Sequence, residues 1–168
     1  MGAFLGYLWC LARVFVPTPS GRQRFNGLGA LHAVTHEVIT VTHTTYINSR
    51  SVVELLEKLA QQFTDWPITI VLDHAKYQHN RYVMDAATRL HITLLFLPTY
   101  SPNLNLIERL WKFVKADCLY AHHYPNFAQF TEAIETCLAG TTTCHREKLD
   151  TLLTLKFQRF DEVTKMVS

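Results

Sequence analysis

Two short apolar runs separated by a helix-length segment set the plan of the chain: Ile68-Thr69-Ile70-Val71-Leu72 closes on Asp73, and His91 to Phe96 leads into a proline-rich turn. β-Branched and large aliphatic residues dominate both runs, and Arg81 to Leu90 between them reads as a helix. The segment therefore predicts a strand, helix, strand crossover with a parallel sheet. Such crossovers are almost always right-handed, and reactive polar groups gather beyond the carboxyl ends of their strands. Upstream, Phe25 to Val34 predicts a strand whose small residues Gly27, Gly29 and Ala30 admit a close neighbour. After the Thr35-His36 turn, Val38 to Thr42 predicts its hairpin partner. Val52, Val53, Leu55, Leu56, Leu59 and Phe63 recur at helical spacing behind Ser49 as N-cap, which makes an amphipathic helix for one sheet face.

Beyond the crossover, Ile107, Leu110, Trp111 and Val114 form an apolar stripe, with Glu108, Lys112 and Lys115 along an adjacent face. Asn126 to Leu138 predicts another amphipathic helix, capped by Asn126 and stopped by Gly140. Thr141 to His145 and a last segment, Leu149 to Phe160, read as loop plus helix. The expected class is α/β, with a mixed central sheet of antiparallel hairpin strands and parallel crossover strands flanked by helices. Trp9, Trp66 and Trp111 are expected in the core.

Asp73 ends its strand, and Glu108 follows the turn after the second strand, so both carboxylates are candidates for one rim, with 34 residues between them. Converging carboxylates repel unless a proton or a divalent cation neutralises them. A carboxylate-held metal suits phosphoryl transfer, where paired ions about 4 Å apart bind the attacking and leaving oxygens. Leu72-Asp73-His74-Ala75-Lys76-Tyr77-Gln78, followed by Leu97-Pro98-Thr99-Tyr100-Ser101-Pro102-Asn103-Leu104-Asn105-Leu106-Ile107-Glu108-Arg109-Leu110-Trp111, resembles the second and third acids of DDE transposase endonuclease domains. The nearest branch is the bacterial insertion-sequence transposases of the mariner-related group. The likeness runs from about Leu5 to Phe160.

That resemblance implies a ribonuclease H-like fold, a site with Asp73 and Glu108 as catalytic and metal-binding acids, and Mg²⁺ or Mn²⁺ as cofactor. It implies contact with transposon-end and target DNA, for which Arg109, Lys112 and Lys115 are the candidates, and a supporting role for His74 and Asn105 beside the acids. Relatives commonly carry Asn at the positions of His74 and His32, so the resemblance departs there. The family needs a third acid, an Asp on the opening strand. Residues 1 to 64 hold no Asp, and their acids are Glu37, Glu54 and Glu57, none on such a strand. The expectation is one partial catalytic domain, 1–168, lacking the first strand and an upstream helix-turn-helix, and impaired or inactive alone. The competing reading is a non-catalytic remnant that binds DNA or full-length transposase. A different metal-dependent phosphoesterase would need further acids or histidines on the same rim.

Composition adds limits. Hydrophobic residues are 48% and charged residues 18% of the 168, which argues against disorder, and a net charge of +2 permits nucleic-acid binding without requiring it. Cys10, Cys118, Cys137 and Cys144 show no C-x-x-C pair, so they read as scattered, reduced, buried thiols of a cytoplasmic protein. His32 with His36, and His122 with His123, lack an evident third ligand and read as structural. The apolar run Phe4 to Ala12 is too short to span a bilayer.

Overall fold

The computed structural model describes residues 24–73, 75–98, 104–120 and 122–155. The apolar run 4–16, His74, the turn 99–103 and the end of the last expected helix lie outside them. Strands β1 (Asn26–Leu31) and β2 (Val38–His43) pair antiparallel, Asn26 opposite His43 and Leu31 opposite Val38. Helix α1 (Ser49–Gln62) leads to β3 (Ile68–Leu72), α2 (Arg81–Arg89) and β4 (Ile92–Phe96), with β3 and β4 parallel in the register Ile68 to Ile92. Helix α3 (Leu106–Val114) widens into a π-helical turn, Lys115–Leu119, followed by α4 (Phe127–Ala139), a 3₁₀ turn (Gly140–Thr142) and α5 (Arg146–Leu152). The class is mixed α/β, as the periodicities predict. Among the described residues, however, no ladder joins the hairpin to the crossover: the four strands form two pairs.

Side-chain alternation makes α1 a common floor for both pairs. Leu28, Ala30 and Ile39 of the hairpin and Ile68 and Ile70 of β3 pack on Val41, Leu55 and Leu59, while Val52, Val53 and Leu56 meet Val83, Ala86 and Ala87 of α2 and Ile92 of β4. The opposite hairpin face belongs to α3. Leu31 and Val38 pack with Ile107 and Trp111 against a core of Leu110, Phe113, Val114, Cys118, Ile134, Cys137, Leu138, Leu149 and Leu153. Burying one strand face against each helix layer is the usual solution for sheets whose side chains alternate.

The glycines of β1 are what let α3 come close. A Cβ on Gly27 or on Gly29 would stand 3.2 Å from the Trp111 ring. Gly29→Ala is therefore expected to cost about 1–3 kcal/mol through overpacking, read as a lower urea midpoint with unchanged slope. Stability equal to the unsubstituted chain would show that Trp111 is free to move aside.

Local details depart from the sequence reading in three places. Asn48, not Ser49, caps α1: its side chain accepts from Arg50 and Ser51 N–H, and Ser51 Oγ accepts from Asn48 N–H, completing a capping box. Phe113 joins Leu110 and Val114 in the buried stripe of α3, whereas Ile107 and Trp111 are half-buried. Trp66 is not core: it is 75% exposed at the bend before β3. Asn126 caps α4 as expected, accepting from Gln129 N–H at 2.9 Å. No described helix is long and apolar enough to cross a membrane.

Candidate functional site at the strand ends

The parallel pair ends in register. Leu97 N–H donates to Leu72 O at 2.8 Å, so Asp73 and Leu97-Pro98 leave the same edge side by side. Asp73 is half-buried, and its Oδ1 accepts from Ala75 N–H at 3.1 Å. The chain then folds tightly: Gln78 and His79 N–H both donate to Ala75 O, and Asn80 caps α2 through Val83 N–H while its amide donates to Ser49 Oγ and Tyr77 O. The His79 ring packs edge-on against Phe96 at 4.7 Å, tying this loop to the end of β4. Burial pushes the Tyr77 phenol up from its usual range and the nearby Asp73 charge adds to the rise, although a hydrogen bond with Gln78 opposes it. Sequence reasoning passed over Tyr77, because nothing in its spacing announces that the loop brings it close to Asp73.

Glu108 lies in the first turn of α3, half-buried, where the partial positive charge of a helix N-terminus favours a carboxylate. It makes no ion pair with Lys112 one turn on, and its carboxylate has no hydrogen-bond partner among the described residues. Asn105 precedes the helix as N-cap residue, with no side-chain cap bond. Asp73 and Glu108 are thus held on two local frameworks, one on each side of segment 99–103 in the chain.

The three basic candidates differ. Arg109 Nη1 donates to Leu152 O at 3.4 Å and Thr154 O at 3.1 Å, so its guanidinium straps the segment after α5 to α3. Lys112 and Lys115 are exposed. His32, outside the rim, serves its own turn by accepting from Val34 and Thr35 N–H. His36 is buried, with Nδ1 3.2 Å from Asp150 Oδ1, and so anchors the hairpin turn to α5.

A model of DDE superfamily endonucleases matches residues 12–131, most of the chain. The chain belongs to the DDE superfamily of endonucleases. No curated protein matches it. Among solved structures, it is similar to a chain of the simian T-cell lymphotropic virus intasome determined by cryo-electron microscopy in complex with the PP2A regulatory subunit B56 gamma. Identity there is 17% and the TM-score 0.44; the alignment covers 86% of this chain and 54% of the other, so this DDE chain spans about half the length of that relative.

Asp73 and Glu108 both offer oxygen donors, the kind a hard divalent cation prefers. Both are carboxylates, Asp73 commits only Oδ1 to a described hydrogen bond, and the Glu108 oxygens are unpartnered among the described residues. The three-ligand group that the described residues bring together, Asp117, Cys137 and His145, is a different place with softer donors.

Proposed function

We propose that this DDE domain acts in metal-dependent DNA strand cleavage and transfer, as part of a transposase of the mariner-related insertion-sequence group, with Asp73 and Glu108 as its acids. What supports the reading is a half-buried Asp at the carboxyl edge of a parallel strand pair and, in the first turn of α3, a half-buried Glu with no partner among the described residues. In this reading Asp73 is oriented by the Ala75 N–H and Glu108 by the first turn of α3. Together they would hold Mg²⁺ or Mn²⁺, and the bound cation would supply charge stabilisation for the attacking and leaving oxygens. The ribonuclease H-like single sheet, the cytoplasmic location and assembly with a second copy or with full-length transposase belong to the same proposal, as does support of the acids by His74 and Asn105.

Two acids make an incomplete set for this chemistry, and residues 1–64 contain no Asp to complete it. The chain by itself is expected to nick supercoiled plasmid slowly in Mg²⁺ or Mn²⁺, and a version extended at its start by an Asp-bearing strand is expected to nick far faster. Equal rates for the two, with full dependence on Asp73, would remove the need for a third acid. No metal-dependent cleavage by either would leave the remnant reading, a DNA- or transposase-binding module.

DNA contact by Lys112 and Lys115 has its own signature. Each Lys→Gln change is expected to reduce the slope of log affinity against log salt by about 1. Arg109→Gln is expected to lower stability instead, since it cuts the strap to Leu152 and Thr154. Filter binding across a salt series, beside thermal melts, separates the two roles. An unchanged slope in the double Lys variant would exclude this face from the DNA contact.

A further inference from the structure

The π-helical turn after α3 presents Asp117 and Cys118 consecutively toward the end of α4 and the start of α5. One potential ligand atom each from Asp117, Cys137 and His145 lies within 4.8 Å of the others. These groups, with Cys118 and Cys144, line one open hollow of about 380 Å³. We propose that Asp117, Cys137 and His145 form a binding site for a thiophilic divalent cation of the zinc class, distinct from the acid pair at the strand ends and independent of the reading of that pair.

Geometry supports a small closing motion. Tetrahedral ligands at zinc bond lengths of about 2.0–2.3 Å stand roughly 3.3–3.8 Å apart. His145 Nε2 is already 3.8 Å from Asp117 Oδ2. The other Asp117 oxygen, Oδ1, is held at 3.3 Å by Lys148 Nζ, the arrangement of a carboxylate that ligates through one oxygen while a neighbour fixes the second. The His145 ring is set edge-on against Phe113 at 5.2 Å. Cys137 and Cys118 are both buried and line the same hollow, which places a second sulfur beside the site. Cys144 is exposed and adjoins His145, so either thiol can supply a fourth ligand.

Gly140 is the other half of the argument. A Cβ there would meet Cys144 Sγ at 2.6 Å, His145 Cδ2 at 2.9 Å and His145 Nε2 at 3.3 Å. The absent side chain at Gly140 is what allows a thiol and an imidazole to close over the end of α4. A cation at this point would tie the π-helical turn, α4 and α5 together, adding to their shared apolar packing and to the Lys148–Asp117 ion pair. π-Helical turns interrupt an α-helix at a local cost and are frequent at functional sites.

The test is zinc and cobalt binding by the whole chain, purified under reducing conditions without chelator. The expected result is one zinc per chain retained through gel filtration. Cobalt substitution should give tetrahedral bands with thiolate charge transfer, whose intensity counts one or two sulfurs, and the melting temperature should rise with zinc and fall back with EDTA. His145→Ala and Gly140→Ala should each weaken binding at least tenfold, whereas Asp73→Ala with Glu108→Gln should leave it unchanged. In the unsubstituted protein, zinc should protect Cys137 from alkylation, a readout that does not depend on any variant folding. Octahedral cobalt without charge transfer, Cys137 alkylated equally with and without zinc, or zinc lost on changing the strand-end acids would overturn the site.

Discussion

Asp73→Asn is expected to lower metal-dependent strand cleavage by about 10³-fold in the version extended with an Asp-bearing strand, equivalent to roughly 4 kcal/mol of transition-state stabilisation. The amide is the informative replacement. Its oxygen can still accept from Ala75 N–H, the bond that holds the side chain at the end of β3, so the loop through Asn80 and the cap of α2 should stay intact. What disappears is the negative charge, and with it one oxygen donor suited to a hard cation. Glu108→Gln should behave alike, because its carboxylate supports no other described group. Parallel melts should show both variants close to the unsubstituted protein. Cleavage within tenfold of the starting rate in either variant would remove that residue from the chemistry.

The largest loss of stability is expected from Leu110→Ala. Leu110 is fully buried at the centre of the cluster built from α3, the π-helical turn, α4 and α5, so truncation should cost about 2–5 kcal/mol. A domain of this kind has only about 5–15 kcal/mol in total, so the urea midpoint should fall markedly with little change in slope. Leu56→Ala, 1% exposed in the separate cluster between α1, α2 and the crossover strands, should cost a similar amount by the same mechanism. The two differ in what they loosen. Leu110 sits two residues beyond Glu108 on the same helix, whereas Leu56 lies beneath the strand pair that ends at Asp73. A cost below about 1 kcal/mol for Leu110→Ala would mean that the surrounding helices collapse into the gap.

Much of this was readable in order along the chain. The hairpin, α1, the β3–α2–β4 crossover and the helices beginning near Leu106 and Asn126 follow from periodicity and caps, because those signals act between residues a few positions apart. The spacing between Asp73 and Glu108, together with the turn between them, pointed to the family that the chain belongs to. Gly27 and Gly29 announced a close neighbour without naming it; Trp111, more than eighty positions away, is that neighbour. The same locality explains the misplaced cap, since Asn48 and Ser49 are both good caps and only the backbone conformation selects between them.

The cysteines mark the boundary. Read as spacings, Cys118, Cys137 and Cys144 are scattered thiols; folded, the π-helical turn and the tight passage at Gly140 bring all three around one hollow with His145 and Asp117. Trp66 and Arg109 make the same point: an expected core ring lies in solvent, and the DNA-contact candidate Arg109 also donates to the carbonyls of Leu152 and Thr154. The order of amino acids determined which segments are helices and strands and which two carboxylates follow strand ends, because hydrophobic period and capping chemistry are local properties. Tertiary structure alone decided which side chains meet across helices, since those contacts depend on packing distances and on backbone turns that no short-range pattern encodes.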